Sequence, residues 1–125
     1  MILGIGTDIC DIRRIEQSID RYGQRFLDKT FTPEEQSYCQ SKARPAMSFA
    51  KRFAAKEAIL KSLGTGMADG IQWKDMEVLN QERGQPEITL QGNGKAVAES
   101  LNLNRIHISI THGRNYAVAH AIAES

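Results

Sequence analysis

Glu57 and Lys61 stand one helical turn apart in the segment Arg52-Phe-Ala-Ala-Lys-Glu-Ala-Ile-Leu-Lys61, and the carboxylate keeps unusual company. On a 3.6-residue helix its neighbours at i−4, i−3, i+3 and i+4 are Phe53, Ala54, Leu60 and Lys61. A glutamate of a solvated face sits among polar residues instead. A carboxylate drawn out of water needs a cation. Lys61 can supply it as a surface i,i+4 partner, or a bound metal can; the segment alone leaves both open.

Gly4-Ile-Gly-Thr-Asp8 offers a second carboxylate. On a strand, Asp8 shares its face with Gly4 and Gly6, so the surface beside it carries no side chains. Glycine inside a strand marks close approach of a ligand or of another backbone, while the plain reading of Asp8 is a helix cap. A dinucleotide-binding fingerprint is excluded, because the third glycine position is Ile9 and no βαβ unit surrounds it. Taken together, Asp8 and Glu57 are hard oxygen donors of the kind Mg²⁺ takes, leaving its other positions to water and phosphate oxygens. A phosphate substrate would also give Lys61 a counter-charge.

Other candidates carry weaker signals. Gly64-Thr65-Gly66 can present backbone N–H groups to a phosphate or simply end a helix. His107, His112 and His120 share no metal-ligand spacing, and only His112, at the start of a turn, has a ligand-facing role to offer. Ser109 lacks an oriented acid and is no triad nucleophile. The aromatics, Trp73 included, are scattered, so no base-stacking platform for nucleic acid forms.

These residues need elements to hold them. Residues 2–10 read as a strand, and Asp11 caps a helix with apolar positions Ile12, Ile15 and Ile19. Gly23 interrupts that helix before a short piece around Phe26. Thr32-Pro-Glu-Glu35 is a capping box with proline at N1, opening a helix to about Ser41. A long helix follows from Pro45 to about Leu63, with Gly64 as its terminator. Short strands are expected at 71–73, 76–80 and 87–90, then a helix from Asn93 or Gly94 to about Leu101. Ile106, Ile108 and Ile110 alternate with polar residues on a half-buried strand. The turn His112-Gly-Arg-Asn115 leads into a strand whose alternate positions 117, 119, 121 and 123 are all alanine, a face shaved for a helix. The fold class is α+β, an antiparallel-rich sheet packed against helices including the long one at 45–63.

At 125 residues with net charge +1 the chain is expected to be one domain, 1–125, globular and without a membrane span or secretory signal. Cys10 and Cys39 form no CxxC, which points to a reducing, cytoplasmic setting. Residues 13–61 hold eleven of the sixteen Lys/Arg and six of the fifteen acids. That asymmetry points to a localised anionic partner.

The blocks Gly4-Ile-Gly-Thr-Asp8, Arg14-Ile15, Phe31-Thr-Pro-Glu-Glu35, Arg52-Phe-Ala-Ala-Lys-Glu-Ala58, Gly64-Thr-Gly66, Gly84-Gln-Pro86 and Ser109-Ile-Thr-His112 together resemble the holo-[acyl-carrier-protein] synthases, the short bacterial type of 4′-phosphopantetheinyl transferase. The resemblance implies a transferase-like α+β fold, commonly a homotrimer with sites between subunits. It implies transfer of the phosphopantetheine of coenzyme A to a serine of apo-acyl carrier protein in fatty acid biosynthesis, releasing adenosine 3′,5′-bisphosphate. Asp8 and Glu57 would then hold Mg²⁺, with Glu57 and Lys61 as catalytic residues. Arg52, Lys61, Gly64, Thr65, Gly66 and His112 would hold coenzyme A. The base for the serine proton is open between a metal-bound water and Glu57. Arg14, Arg21 and Arg25, at i, i+7 and i+11, would dock the acidic carrier if Gly23 leaves them on one face. The rival class is a non-enzymatic module binding an acidic partner through its basic helices.

Overall fold

The computed structural model describes residues 1–125. The chain runs β1 (Ile2–Asp11), α1 (Ile12–Tyr22), α2 (Gln24–Thr30), α3 (Pro33–Gln40), α4 (Pro45–Leu63), a 3₁₀ turn (Trp73–Asp75), β2 (Met76–Asn80), β3 (Pro86–Leu90), α5 (Gly92–Ser100), β4 (Arg105–His112) and β5 (Tyr116–Glu124). The architecture is the expected α+β, but its strands divide into two antiparallel sheets. One is three-stranded in the order β1-β5-β4, and the other is the hairpin β2-β3.

Helix α4 is the axis of the molecule. It buries residues around its whole circumference, from Ser48, Phe49 and Ala50 to Ile59, Leu60 and Leu63. The alanine face of β5 lies beneath it, with Ala117, Ala119, Ala121 and Ala123 all fully buried. Register sets Gly4 and Gly6 of β1 beside Ala123 and Ala121. A Cβ on Gly4 would overlap the carbonyl oxygen of Ser62, and one on Gly6 that of Ala58. The glycine-cleared strand face thus admits the backbone of α4, the second of the two uses a strand glycine suggests.

The opposite face of this sheet carries no helix. Ile5 and Ile9 are each 64% exposed there, alongside Val118, His120 and Ile122.

Several local signals behave as read. The Asp11 side chain caps α1, and Thr32 with Glu35 closes a complete capping box on α3. Pro45 opens α4, and Gly64 ends it in the left-handed region. Others differ. At residues 71–73 there is no strand, because the Asp75 carboxylate accepts from Gln72 N at 2.9 Å and curls the chain into the 3₁₀ turn. Helix α5 begins at Gly92 and ends at Ser100. At Gly23, φ is +57°, so α1 and α2 are separate helices.

Candidate active site

Where β1 passes beyond its two glycines, Asp8 comes to lie against the last turns of α4. One cavity of about 310 Å³ is lined there by Asp8, Glu57 and Lys61 together with Arg14 of α1. Ile15, Phe26 and Phe53 supply its apolar wall. With Asp11, three carboxylates and two cations from three elements thus share a water-accessible pocket.

The charges are not paired as sequence spacing suggests. Lys61 turns from Glu57 to Asp8, its Nζ standing 3.3 Å from Asp8 Oδ1 and donating to Thr7 O at 2.9 Å. The surface Glu57–Lys61 ion pair is therefore absent, because the helix–strand approach at Gly6 brings a second carboxylate within reach of the ammonium. Glu57 makes no hydrogen bond. Burial raises its pKa above the ordinary carboxylate value, the Asp8 charge raises it further, and Lys61 offsets only part of this. Such a carboxylate lacks a cation of its own.

Cys10 lines the same cavity. Burial and then the Asp8 charge push its thiol up to about 11. It stays protonated near neutrality and is no nucleophile.

The donor set fits a hard divalent cation. Asp8 and Glu57 present oxygen donors, and no three or more His, Cys, Asp or Glu are placed to hold a metal ion among themselves. An ion held by two carboxylates keeps open positions for phosphate oxygens, the habit of Mg²⁺ rather than of a closed structural metal.

The remaining candidate residues are distributed elsewhere. Arg52 is 2% exposed and turned from Asp8 and Glu57. Its guanidinium stacks 4.3 Å from the Tyr38 ring centroid and donates to Ser48 O, Ser48 Oγ and Asn80 Oδ1, while its Nε has no partner. It borders a second cavity of about 410 Å³ with Lys42, Arg44 and Lys51. Residues 64–66 leave the end of α4 without lining the Asp8–Glu57 pocket, and the Thr65 hydroxyl donates only to Gly66 O at 3.3 Å. His112 closes β4, exposed and apart from both cavities. Arg14 enters the pocket, whereas Arg21 lies over the Tyr22 ring and Arg25 sits on α2. The break at Gly23 removes the single arginine face.

Sequence reasoning missed the Arg52 cavity. Its signal was present, since no acid occurs between Glu35 and Glu57 while five Lys/Arg do.

A family model described as the 4′-phosphopantetheinyl transferase superfamily matches residues 4–121. The chain belongs to this superfamily. A holo-[acyl-carrier-protein] synthase of Koribacter versatilis is 49% identical over 124 residues, 99% of each chain. In structure, the chain is similar to the holo-[acyl-carrier-protein] synthase of Neisseria meningitidis, with TM-score 0.93, 32% identity and full coverage of both chains. It is also similar to that of Helicobacter pylori solved in complex with coenzyme A, with TM-score 0.85, 31% identity and coverage of 96% and 99%.

Proposed function

We propose that this chain transfers the 4′-phosphopantetheine group of coenzyme A to a serine of apo-acyl carrier protein, in fatty acid biosynthesis, with release of adenosine 3′,5′-bisphosphate. The observation that carries this reading is the unpartnered, partly desolvated Glu57 beside Asp8 and Lys61 in one cavity.

Asp8 and Glu57 would hold Mg²⁺, which when bound offsets charge on the diphosphate. Lys61, whose side chain is 53% exposed, reaches the same space and supplies a second positive charge for the phosphate oxygens. In the transfer the serine oxygen forms a bond to the β-phosphorus, and the bond from that phosphorus to the bridging oxygen of the leaving nucleotide breaks. A carboxylate shared with a metal is a weak base, so the serine proton leaves to water in the open pocket.

The second cavity suits the other phosphate of coenzyme A. Arg52, with its free Nε, and Lys42, Arg44 and Lys51 form a cationic recess without an acid, fitted to the 3′-phosphate. Arg14 at the reaction pocket and the outward Arg21 and Arg25 favour an acidic carrier. The bare apolar sheet face supports assembly as a homotrimer, in which His112 and residues 64–66 would complete a coenzyme A site between copies. No helix is long and apolar enough to cross a membrane, and two buried free thiols suit the cytoplasm.

The test is incubation with coenzyme A, Mg²⁺ and an apo-carrier, read as intact carrier mass. A gain of one phosphopantetheine per carrier is expected. Carrier binding without any mass gain would favour the rival module that only docks acidic partners.

A further inference from the structure

Lys56 precedes Glu57 in sequence but points about 100° away around the helix, into the core rather than the pocket. Its Nζ donates to Thr30 O at 2.8 Å, Glu35 Oε1 at 2.7 Å and Trp73 O at 3.1 Å, which uses all three ammonium protons. Glu35 in turn accepts from Thr32 N at Oε1 and from Val78 N at Oε2, both at 2.9 Å. Both charged side chains are 0% exposed.

A buried pair of this sort adds little net stability, because desolvation offsets the attraction; apolar residues of similar volume can serve the core as well. What apolar residues lack is direction. Two of the three acceptors of Lys56 belong to segments that wall the reaction pocket or pack on its wall. Thr30 ends α2, which contributes Phe26 to the pocket. The Trp73 ring packs on Phe53 at 5.1 Å between centroids, and Phe53 is the wall one turn below Glu57. Trp73 also closes the stretch that departs from α4 at Gly64, so Lys56 ties the far end of residues 64–72 back to the helix they left.

We propose that Lys56, locked by Glu35, is a positioning residue for coenzyme A. It sets α2 and, through Trp73 on Phe53, the wall of the pocket in which Glu57 and Lys61 act, and it holds the far end of the 64–72 segment. The proposal rests on the transfer reading above, and it separates two adjacent residues of one motif into an interior anchor and a pocket ligand.

The test is the double substitution Glu35→Gln with Lys56→Met, which removes both charges together. Steady-state transfer is measured well below the melting temperature, with hydrogen exchange read on the same protein. The expected result is a folded protein whose KM for coenzyme A rises about tenfold or more, with faster exchange over residues 71–76 and unchanged protection in the middle of α4. A merely structural pair would lower the folded fraction and kcat alone; an unchanged KM with unchanged exchange at 71–76 overturns the proposal. Should the double variant not fold, exchange on the wild type decides. Amides of residues 71–76 as protected as those of α4 support the anchor, and exchange at the rate of an open loop refutes it. Absence of transfer by the wild type would remove the function reading, while the exchange results would still judge the anchor.

Discussion

Two carboxylates meet helix α4, and the fold treats them in opposite ways. Glu35 is wholly buried and wholly satisfied, with a lysine and two backbone N–H groups on its oxygens. Glu57 is only partly buried, yet it has no hydrogen bond, a neighbouring carboxylate, and a pKa raised by burial. Their lysines differ in the same sense. Lys56 spends every proton inside the protein, whereas Lys61 is half exposed and borrows Asp8. Depth of burial therefore does not mark the acid we propose as functional. What sets Glu57 apart is partial desolvation without a protein partner, which leaves its oxygens facing the pocket and open to a ligand.

The sharpest way to separate the two centres is metal binding. Glu57→Gln should weaken Mn²⁺ binding, read by titration calorimetry, by about 100-fold, the upper range for disturbing a metal's ligand environment. Glu35→Gln should leave it unchanged, and equal effects would erase the distinction. Stability should show the reverse. Lys56→Met alone strands a buried Glu35 and should cost about 3–5 kcal/mol in urea unfolding, much of a small domain's total. Lys61→Met should cost less than about 1 kcal/mol, as exposed pairs do, while transfer falls about 100-fold or more through loss of phosphate stabilisation.

The smallest effect is the pH dependence of metal-free stability. A carboxylate whose folded pKa lies above its unfolded value keeps its proton longer in the native state. Its ionisation then destabilises the fold as pH rises from about 4.5 through the raised value. Metal-free Glu57→Gln should therefore melt slightly above wild type at pH 7, the gap closing below pH 4. A mutant that melts lower at pH 7 would mean that Glu57 has a partner after all.

Much of the frame was legible because its signals are local. Asp11, the Thr32–Glu35 box, Pro45 and Gly64 mark helix ends through bonds a few residues long. The alanine alternation of β5 announced a close helix. What escaped was set by contacts distant in sequence. Glu35 reads as a cap residue in any four-residue window, and its pairing with Lys56 spans 21 positions. The glycines at 4 and 6 signalled close approach, but only the packed helix shows that a backbone, not a ligand, fills the space. For the same reason the i,i+4 spacing of Glu57 and Lys61 left open whether they pair. Asp8 competes for that lysine from 53 positions away and wins it.

The central claim is that the acid without a protein partner is the working one. It is tested most directly by the intact mass of apo-acyl carrier protein after incubation with coenzyme A, Mg²⁺ and either wild type or Glu57→Gln, both shown to be folded. One phosphopantetheine added by the wild type and none by the variant in the same time is the predicted result. Equal modification by both, or none by the wild type, would contradict it.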